Sequence, residues 1–352
     1  MKYNIPHSKP TISSKDISSV LKTLRAKQIS QGPMVEKFEK SFSKYHNLKG
    51  SVALSSGTAA IHLSLLALGI QDEDEVIVPS FVCSALLNAV LYTGAKPVLA
   101  DVNNHDFNLS IDSAKNALTK RTKAIIVPHM FGLPADIKDL VRLGIPVIED
   151  CAQSLGAEYN KQKVGSFGAV SVFSFYATKV IATGEGGMVS SNNARLLSKI
   201  SDMREYDKKK FCKLSFNYKM TDIQAALGLS QMEKLPTFIR GRRSIARKYN
   251  NAFTDCHLQI PTSLPGKDHI YYRYVINLGR SSADTIRTLN KKGVHCACPI
   301  FEPLHKQMNM DAKYFPNSQE LFKNTLSLPI YPSLSKQEVD FIIQSLKNSL
   351  EK

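Results

Sequence analysis

The chain has 352 residues, 43% of them hydrophobic and 22% charged, with a formal net charge of +16. Its length allows two domains or one large domain with an appendage, and the composition is that of a globular protein. No apolar run reaches the length of a membrane span, and the opening MKYNIPHSKPTISSKD lacks the apolar core of a secretory leader, so the expectation is a cytoplasmic protein with no membrane partner.

Ile12 to Leu24 has helical spacing, with Ser13 and Ser14 as candidate caps, and Val35 opens a second short helix. A strand over Ser51–Leu54 then runs through a small-residue turn, Ser55-Ser56-Gly57-Thr58-Ala59-Ala60, into the helix Ile61–Leu68. Such a turn exposes free backbone N–H groups at the positive end of a helix, and glycine allows close backbone approach. It suits a phosphate, and it equally suits a plain capped helix start. His62, inside the apolar helix, reads as a core residue.

The pattern repeats. Glu75–Val78, Pro97–Asp101, Ala124–Val127 and Pro146–Asp150 read as strands, and Val82–Leu91, Ile111–Leu118 and Ala135–Leu143 as helices. Short apolar strands alternating with amphipathic helices imply an α/β domain with a mostly parallel sheet covered by helices on both faces. Sites in such sheets lie at the carboxyl ends of the strands, where Asp150, Ser80 and His129 fall. Asp101 also falls there, and it reads as structural.

Next comes SVFSFYATKVIATGEGGMVSS, residues 171–191, a β-rich run ending at Lys179 and followed by a Gly-Glu-Gly-Gly turn and a second apolar strand. Residues 205–216 read as a loop. Thr221-Asp222 caps a helix Ile223–Leu235, and Phe238–Phe253 forms another. Beyond it, Tyr271–Asn277 alternates like a half-buried strand, Ala283–Lys292 reads as a helix, Val294–Cys298 as a strand and Gln337–Leu350 as an amphipathic helix. The division expected is a large domain over 1–240 and a smaller α+β domain over 241–352.

The six cysteines are scattered, and Cys296-x-Cys298 has no second pair to complete a zinc set, so all six read as reduced thiols and no metal site is expected. The densest basic clusters, Lys208–Lys210 and Arg240–Arg243, lack the aromatic interleaving of a nucleic-acid platform. The charge therefore reads as a lysine-rich solvated surface with no nucleic-acid partner, and it also fits a phosphate-bearing substrate.

The first domain thus offers three groups at one sheet edge: the turn Ser56–Ala60, the carboxylate Asp150 and the amine Lys179. No G-x-G-x-x-G follows the first strand, and no G-K-[ST] is present, which removes the main support for a dinucleotide fold or a nucleoside triphosphatase. Pyridoxal phosphate (PLP) needs a lysine for its aldehyde, a carboxylate for its pyridinium nitrogen and a phosphate cup. These groups suit it without singling it out.

A resemblance does single it out. QGPMVEKFE, SSGTAAIHLSLLALG, DEVIVPSF, GAKPVLADV, VIEDCAQSLGAEY, FSFYATKVIATGEGGMV, NYKMTDIQAALGLSQMEKL and LSLPIYPSLS stand in the order found in the DegT/DnrJ/EryC1/StrS family of PLP-dependent sugar aminotransferases. The chain resembles that family over nearly its whole length, and FSF-x-x-TK-x-x-x-x-GEGGM is the most specific run. The resemblance implies the type I PLP fold and transfer of an amine from an amino-acid donor, expected to be L-glutamate, to a C4 or C3 ketone of a nucleotide-linked sugar. The product would be an amino sugar for a surface polysaccharide or a glycosylated metabolite.

Residue by residue, Lys179 matches the Schiff-base lysine and general base, and Asp150 the carboxylate on the pyridine nitrogen. Gln153 matches the contact to the ring hydroxyl. Ser56, Gly57, Thr58 and Ala59 match the phosphate turn, with Ser174 as a further hydroxyl contact. The family's active site lies between two subunits, so a homodimer with shared sites is implied, Asn217 matching the residue that reaches the partner's phosphate, with Lys219 close by. Ser30 and His305 match positions bordering the sugar site.

Two departures stand out. The family usually has an aromatic residue stacking on the cofactor ring where this chain has Cys83, which gives less contact area and no π-face; Phe81 is the candidate to compensate. Lys27-Gln28-Ile29-Ser30 also lacks the aromatic that many relatives carry, which leaves the sugar open. The rival readings are a PLP-dependent sugar dehydratase, whose members have histidine in place of Lys179, an aminocyclitol aminotransferase, and a non-catalytic sensor on the same fold. Retention of Lys179 and Asp150 argues against the first and the last.

Overall fold

The computed structural model describes residues 3–350 apart from Lys208 and Cys212. The readings of Cys212 as a thiol and of Lys208 within a basic cluster lie outside the described residues.

The strands in chain order are β1 (Gly50–Leu54), β2 (Glu75–Pro79), β3 (Lys96–Ala100), β4 (Thr122–Pro128), β5 (Val147–Asp150), β6 (Glu158–Tyr159), β7 (Gln162–Lys163), β8 (Val170–Ser174), β9 (Gly187–Ser191), β10 (Lys267–Asp268), β11 (Tyr274–Asn277) and β12 (Thr325–Leu328). Seven of them form the main sheet in the order β1-β9-β8-β5-β4-β2-β3. β2, β3, β4, β5 and β8 pair in parallel, with helices crossing between β2 and β5 and the β6–β7 hairpin crossing from β5 to β8. β9 follows β8 through a turn segment with no helix, so it returns antiparallel and pairs antiparallel to β1 as well. This is the mostly parallel, helix-covered α/β sheet that the sequence pattern implies.

The period of two along each strand divides the core. Val76 and Val78 of β2 pack with Leu63 and Leu65 of the helix Gly57–Leu68 on one face. Ile77 between them packs on the other face with Ile125 and Val127. The helix Gly57–Leu68 is buried nearly all round, and His62 sits within it against the rings of Tyr92, Phe216 and Tyr218, a core residue as expected. Asp101 is structural too. Its carboxylate accepts the backbone N–H groups of Asn317 and Ser318 at the start of the helix Pro316–Asn324.

Two elements differ from the sequence reading. The helices expected on either side of Pro236 are one helix, Asp222–Phe253. Pro236 removes one hydrogen bond at a cost of about 3 kcal/mol, but Leu235 and Phe238 are anchored in the core while Pro236 itself is exposed, so packing overrides propensity. The expected boundary at residue 240 falls inside this helix. Its second half, with Ile245, Tyr249 and Phe253, packs with Ile5, β11, β12 and the helix Lys336–Leu350. The expected strand at Val294–Cys298 is reduced to single bridges, Ile5 with Val294 and Ala297 with Ser327. The strand that pairs with β11 is β12.

Candidate active site

The carboxyl ends of β1, β5 and β8 converge on one open cleft. Ser56, Gly57, Thr58, Cys83, Asp150, Ala152, Ser174, Tyr176, Lys179 and Glu185 are among the residues that line it.

The turn after β1 opens a helix whose first N–H groups need partners. Ser56 caps the helix Gly57–Leu68, and its Oγ accepts the Ala59 N–H at 3.1 Å. Ala59 therefore spends its donor inside the cap, and the N–H groups of Gly57 and Thr58 are the ones aimed outward at the helix start. Gly57 is required by close packing, because a Cβ there would stand 2.9 Å from Cβ of Ser174. That contact brings the Ser174 hydroxyl to the turn.

Asp150 ends β5. Its Oδ1 accepts the Ala152 N–H at 2.9 Å, and its side chain is otherwise enclosed. Burial raises its pKa, and the Ala152 N–H, Lys179 and His129 offset this only in part, so the site favours a cationic partner for this carboxylate. Behind it the strand ends are held rigidly. The Glu149 carboxylate accepts the N–H groups of Gly165, Phe167 and Gly168 at 2.7, 2.6 and 2.6 Å. Ala135 N–H donates to Nδ1 of His129, which leaves Nε2–H to donate to Glu149 at 3.2 Å.

Lys179 lies on the turn after β8, its N–H bonded to the Tyr176 carbonyl at 2.8 Å. Its Nζ stands 5.3 Å from the ring centre of Tyr272, whose hydroxyl is 3.3 Å from Thr178 Oγ1. Arg242 and Arg273 flank the same ring at 5.9 and 5.4 Å. Burial raises the Tyr272 pKa, but Lys179, Arg273, Thr178 and Arg242 together outweigh it and bring the phenol below its ordinary value. Sequence reasoning missed Tyr272, which reaches the site from a segment nearly a hundred residues away.

Gln153 is half-buried beside this cleft. Its Oε1 accepts the Phe131 N–H at 3.0 Å, and among the described residues its amide nitrogen makes no hydrogen bond. Cys83 faces the cleft with its surface exposed there, and desolvation by the surrounding protein pushes the thiol pKa up, with Lys179 offsetting this only in part. Phe81 is fully buried and stacked on Phe107, so it does not reach the cleft and cannot compensate for the missing aromatic.

The remaining expected residues lie off this cleft. His305, expected from the sequence to border the sugar site, is fully buried, with Nδ1 2.7 Å from Ser80 Oγ and its ring stacked on Phe315. Ser30 is exposed, and its carbonyl accepts the Asp222 N–H at 3.1 Å. Asn217 is exposed, and Lys219 is paired with Glu205 and Asp207 at 3.4 and 3.6 Å. Glu185 and Tyr176 line the cleft without having been assigned a role from the sequence; the Gly-Glu-Gly-Gly turn was the available signal.

Residues 10–347 match the model of the DegT/DnrJ/EryC1/StrS aminotransferase family. The chain is 34% identical to the GDP-perosamine synthase of Escherichia coli O157:H7, over 98% of each chain. It is 35% identical to a UDP-N-acetyl-3-dehydro-alpha-D-glucosamine 3-aminotransferase of Acidithiobacillus ferrooxidans, over 85% of this chain and 84% of that one. The solved structure of Spr1654 from Streptococcus pneumoniae in its PLP form superposes with a TM-score of 0.94 at 28% identity, covering 99% of both chains.

Proposed function

The chain belongs to the DegT/DnrJ/EryC1/StrS aminotransferase family, and on that premise we propose that its cleft transfers an amino group from L-glutamate to the ketone of a nucleotide-linked sugar with PLP as cofactor. The observation that carries this reading is that Lys179, Asp150 and the Ser56–Thr58 turn share one cleft. The residues fit the cofactor by their chemistry. Gly57, Thr58 and Ser174 supply donors for a phosphate, Asp150 is a buried carboxylate for a pyridinium nitrogen, and Gln153, its Oε1 held by the Phe131 N–H, keeps its amide N–H groups free to donate. Cys83, Ala152 and Val172 are among the apolar cleft residues available to cover the ring.

PLP supplies an electron sink for the carbanion that forms at the donor's α-carbon. The chain does the rest. Lys179 Nζ would hold the cofactor's aldehyde carbon and would take and return the α-carbon proton. Asp150 would keep the ring nitrogen protonated.

Two copies of the chain share their sites in this reading. Asn217, Ser30 and Lys219 lie outside the chain's own cleft, as residues serving a partner's cleft would. The cytoplasm is the proposed compartment, where nucleotide sugars are made. The unpaired thiols of Cys83, Cys151, Cys256, Cys296 and Cys298 suit it. Among the described residues no helix is long and apolar enough to cross a membrane. The product is an amino sugar for a surface polysaccharide or a glycosylated metabolite.

The test is an absorbance spectrum of purified protein with PLP, before and after L-glutamate, on wild type and Lys179→Ala. A visible band of lysine-bound cofactor that glutamate bleaches in wild type and that Lys179→Ala lacks supports the reading. A wild-type protein that forms no such band, or a Lys179→Ala variant that keeps it, rejects it.

A further inference from the structure

The cleft holds a second carboxylate that the chemistry above does not use. Glu185 lines it together with Lys179, yet among the described residues its carboxylate makes no hydrogen bond or ion pair. Its backbone, by contrast, is fixed. The Glu185 carbonyl accepts the side chains of Thr183 and, at 2.9 Å, of Gln224. Gln224 is itself locked, because its Oε1 accepts both the N–H and the hydroxyl of Thr221 at the start of the helix Asp222–Phe253. Gly184 and Gly186 on either side have φ of +85° and +155°, which only glycine adopts readily. Gly187 then presses its backbone onto Ser56 and Gly57. Glu185 is exposed at this cleft, and the anchored turn fixes where its backbone stands, so its free carboxylate is available to accept hydrogen bonds from something that enters.

Tyr176 stands beside it. It is bridged to Gly184 across the turn, lines the same cleft and leaves 47% of its surface exposed. An exposed aromatic face next to an unpaired carboxylate is the chemistry that holds a hexose. The ring covers the sugar's C–H face, and the carboxylate accepts its hydroxyls. Asp150 is taken up by the ring nitrogen in that reading, so Glu185 is the carboxylate left in this cleft to accept from a sugar.

We propose that Glu185 and Tyr176 form the sugar-reading pair of this cleft, with Glu185 accepting hydroxyl hydrogen bonds from the hexose and Tyr176 stacking on it. This rests on the sugar-aminotransferase reading, and the test separates the two. Calorimetry on the PLP-loaded protein compares UDP-N-acetylglucosamine with UDP, and GDP-mannose with GDP, in wild type, Glu185→Gln, Glu185→Ala and Tyr176→Ala. The ratio of the two affinities within a pair isolates the sugar's contribution, which a merely structural role of either residue would not move.

In wild type, one pair should show the sugar nucleotide binding more tightly than the bare nucleotide. Glu185→Ala should remove about tenfold of that advantage, the worth of a charged hydrogen bond, with Glu185→Gln intermediate and Tyr176→Ala losing a similar factor. An advantage unchanged in Glu185→Ala overturns the proposal, as does a wild type for which neither sugar adds affinity. Bleaching of the wild-type cofactor band by L-glutamate, measured on the same samples, stands or falls independently and reports on the aminotransferase reading itself.

Discussion

Gly187 is pressed against Ser56 so closely that a Cβ at position 187 would come within 2.1 Å of the Ser56 carbonyl oxygen and 2.8 Å of the Gly57 nitrogen. The contact joins the strand that follows the lysine turn to the turn proposed to hold the cofactor's phosphate. Both atoms met are backbone, so no side chain can swing aside. Gly187→Ala should therefore displace the Ser56–Thr58 turn, at a cost of about 1–3 kcal/mol or more. Thermal unfolding should show the lost stability. PLP titration should show affinity falling at least tenfold, and by more than it does for Gly279→Ala, which lies at a turn with nothing within 4 Å of the added carbon and so reports backbone strain alone.

Asp150 trades stability for function. Burial raises its pKa above the ordinary carboxylate value in the cofactor-free protein. A group whose folded pKa is raised contributes stability that is fully present below its unfolded pKa and is lost as pH rises through the folded value. Cofactor-free Asp150→Asn should thus be more stable than wild type at pH 7, and the gap should close as pH falls below 3.8, where both carry a neutral side chain. Saturating PLP should reverse the order, because a pyridinium partner stabilises only the carboxylate. Melting curves across pH, with and without PLP, check both halves. A cofactor-free Asp150→Asn that is less stable at pH 7 would refute the account.

The sheet and the lysine end of the site were legible because they obey local rules. Strand-helix alternation marks the parallel sheet, and strand ends mark Asp150 and Lys179. What escaped were contacts between distant segments. Nothing near Tyr272 in the sequence says that its ring faces Lys179, and nothing near Pro236 says that Leu235 and Phe238 are buried firmly enough to carry a helix through it. The Pro-Leu-His run at 303–305 has no periodicity to show which way its histidine turns, and the Ser80 hydroxyl draws that ring inward. Phe81 failed for the opposite reason. A large aromatic near a cleft gains more from full burial against Phe107 than from facing water.

His46 makes the fold sensitive to mild acid. It is buried between Phe42, Tyr45 and Phe173, its Nδ1 donates to the Phe42 carbonyl at 3.2 Å, and its Nε2 has no partner. Burial lowers its pKa from 6.5 to about 4. For a depressed histidine the stability is complete above the unfolded pKa and is lost as pH falls from 6.5 towards about 4. At 1.36 kcal/mol per pH unit this is about 2 kcal/mol at pH 5. His46→Leu removes the titration, so the stability difference between wild type and variant should shift by that amount in the variant's favour between pH 7 and 5. Urea unfolding at the two pH values measures it, and an unchanged difference would contradict the assignment.

Asp222 anchors the segment that leads into the helix Pro33–His46. Its carboxylate is fully buried and accepts three backbone N–H groups, those of Gly32, Met34 and Val35, at 2.9, 3.2 and 3.0 Å. It thereby caps that helix from another part of the chain, and its own N–H returns a bond to the Ser30 carbonyl at 3.1 Å. Gly32 sits close to the same contact, a Cβ there standing 2.8 Å from the Gln28 amide nitrogen and 3.0 Å from the Asp222 carboxylate. Asp222→Ala would leave three donors without an acceptor, and should cost about 2–4 kcal/mol. Asp222→Asn keeps one acceptor oxygen and should recover about half. The order wild type, Asn, Ala in urea midpoints is the expected result. Hydrogen exchange of the Gly32, Met34 and Val35 amides should accelerate in the same order, because those amides are what the carboxylate holds. Acceleration spread evenly over the whole helix Asp222–Phe253 instead would mean that Asp222 acts as that helix's own first-turn acid and not as the anchor of the neighbouring segment.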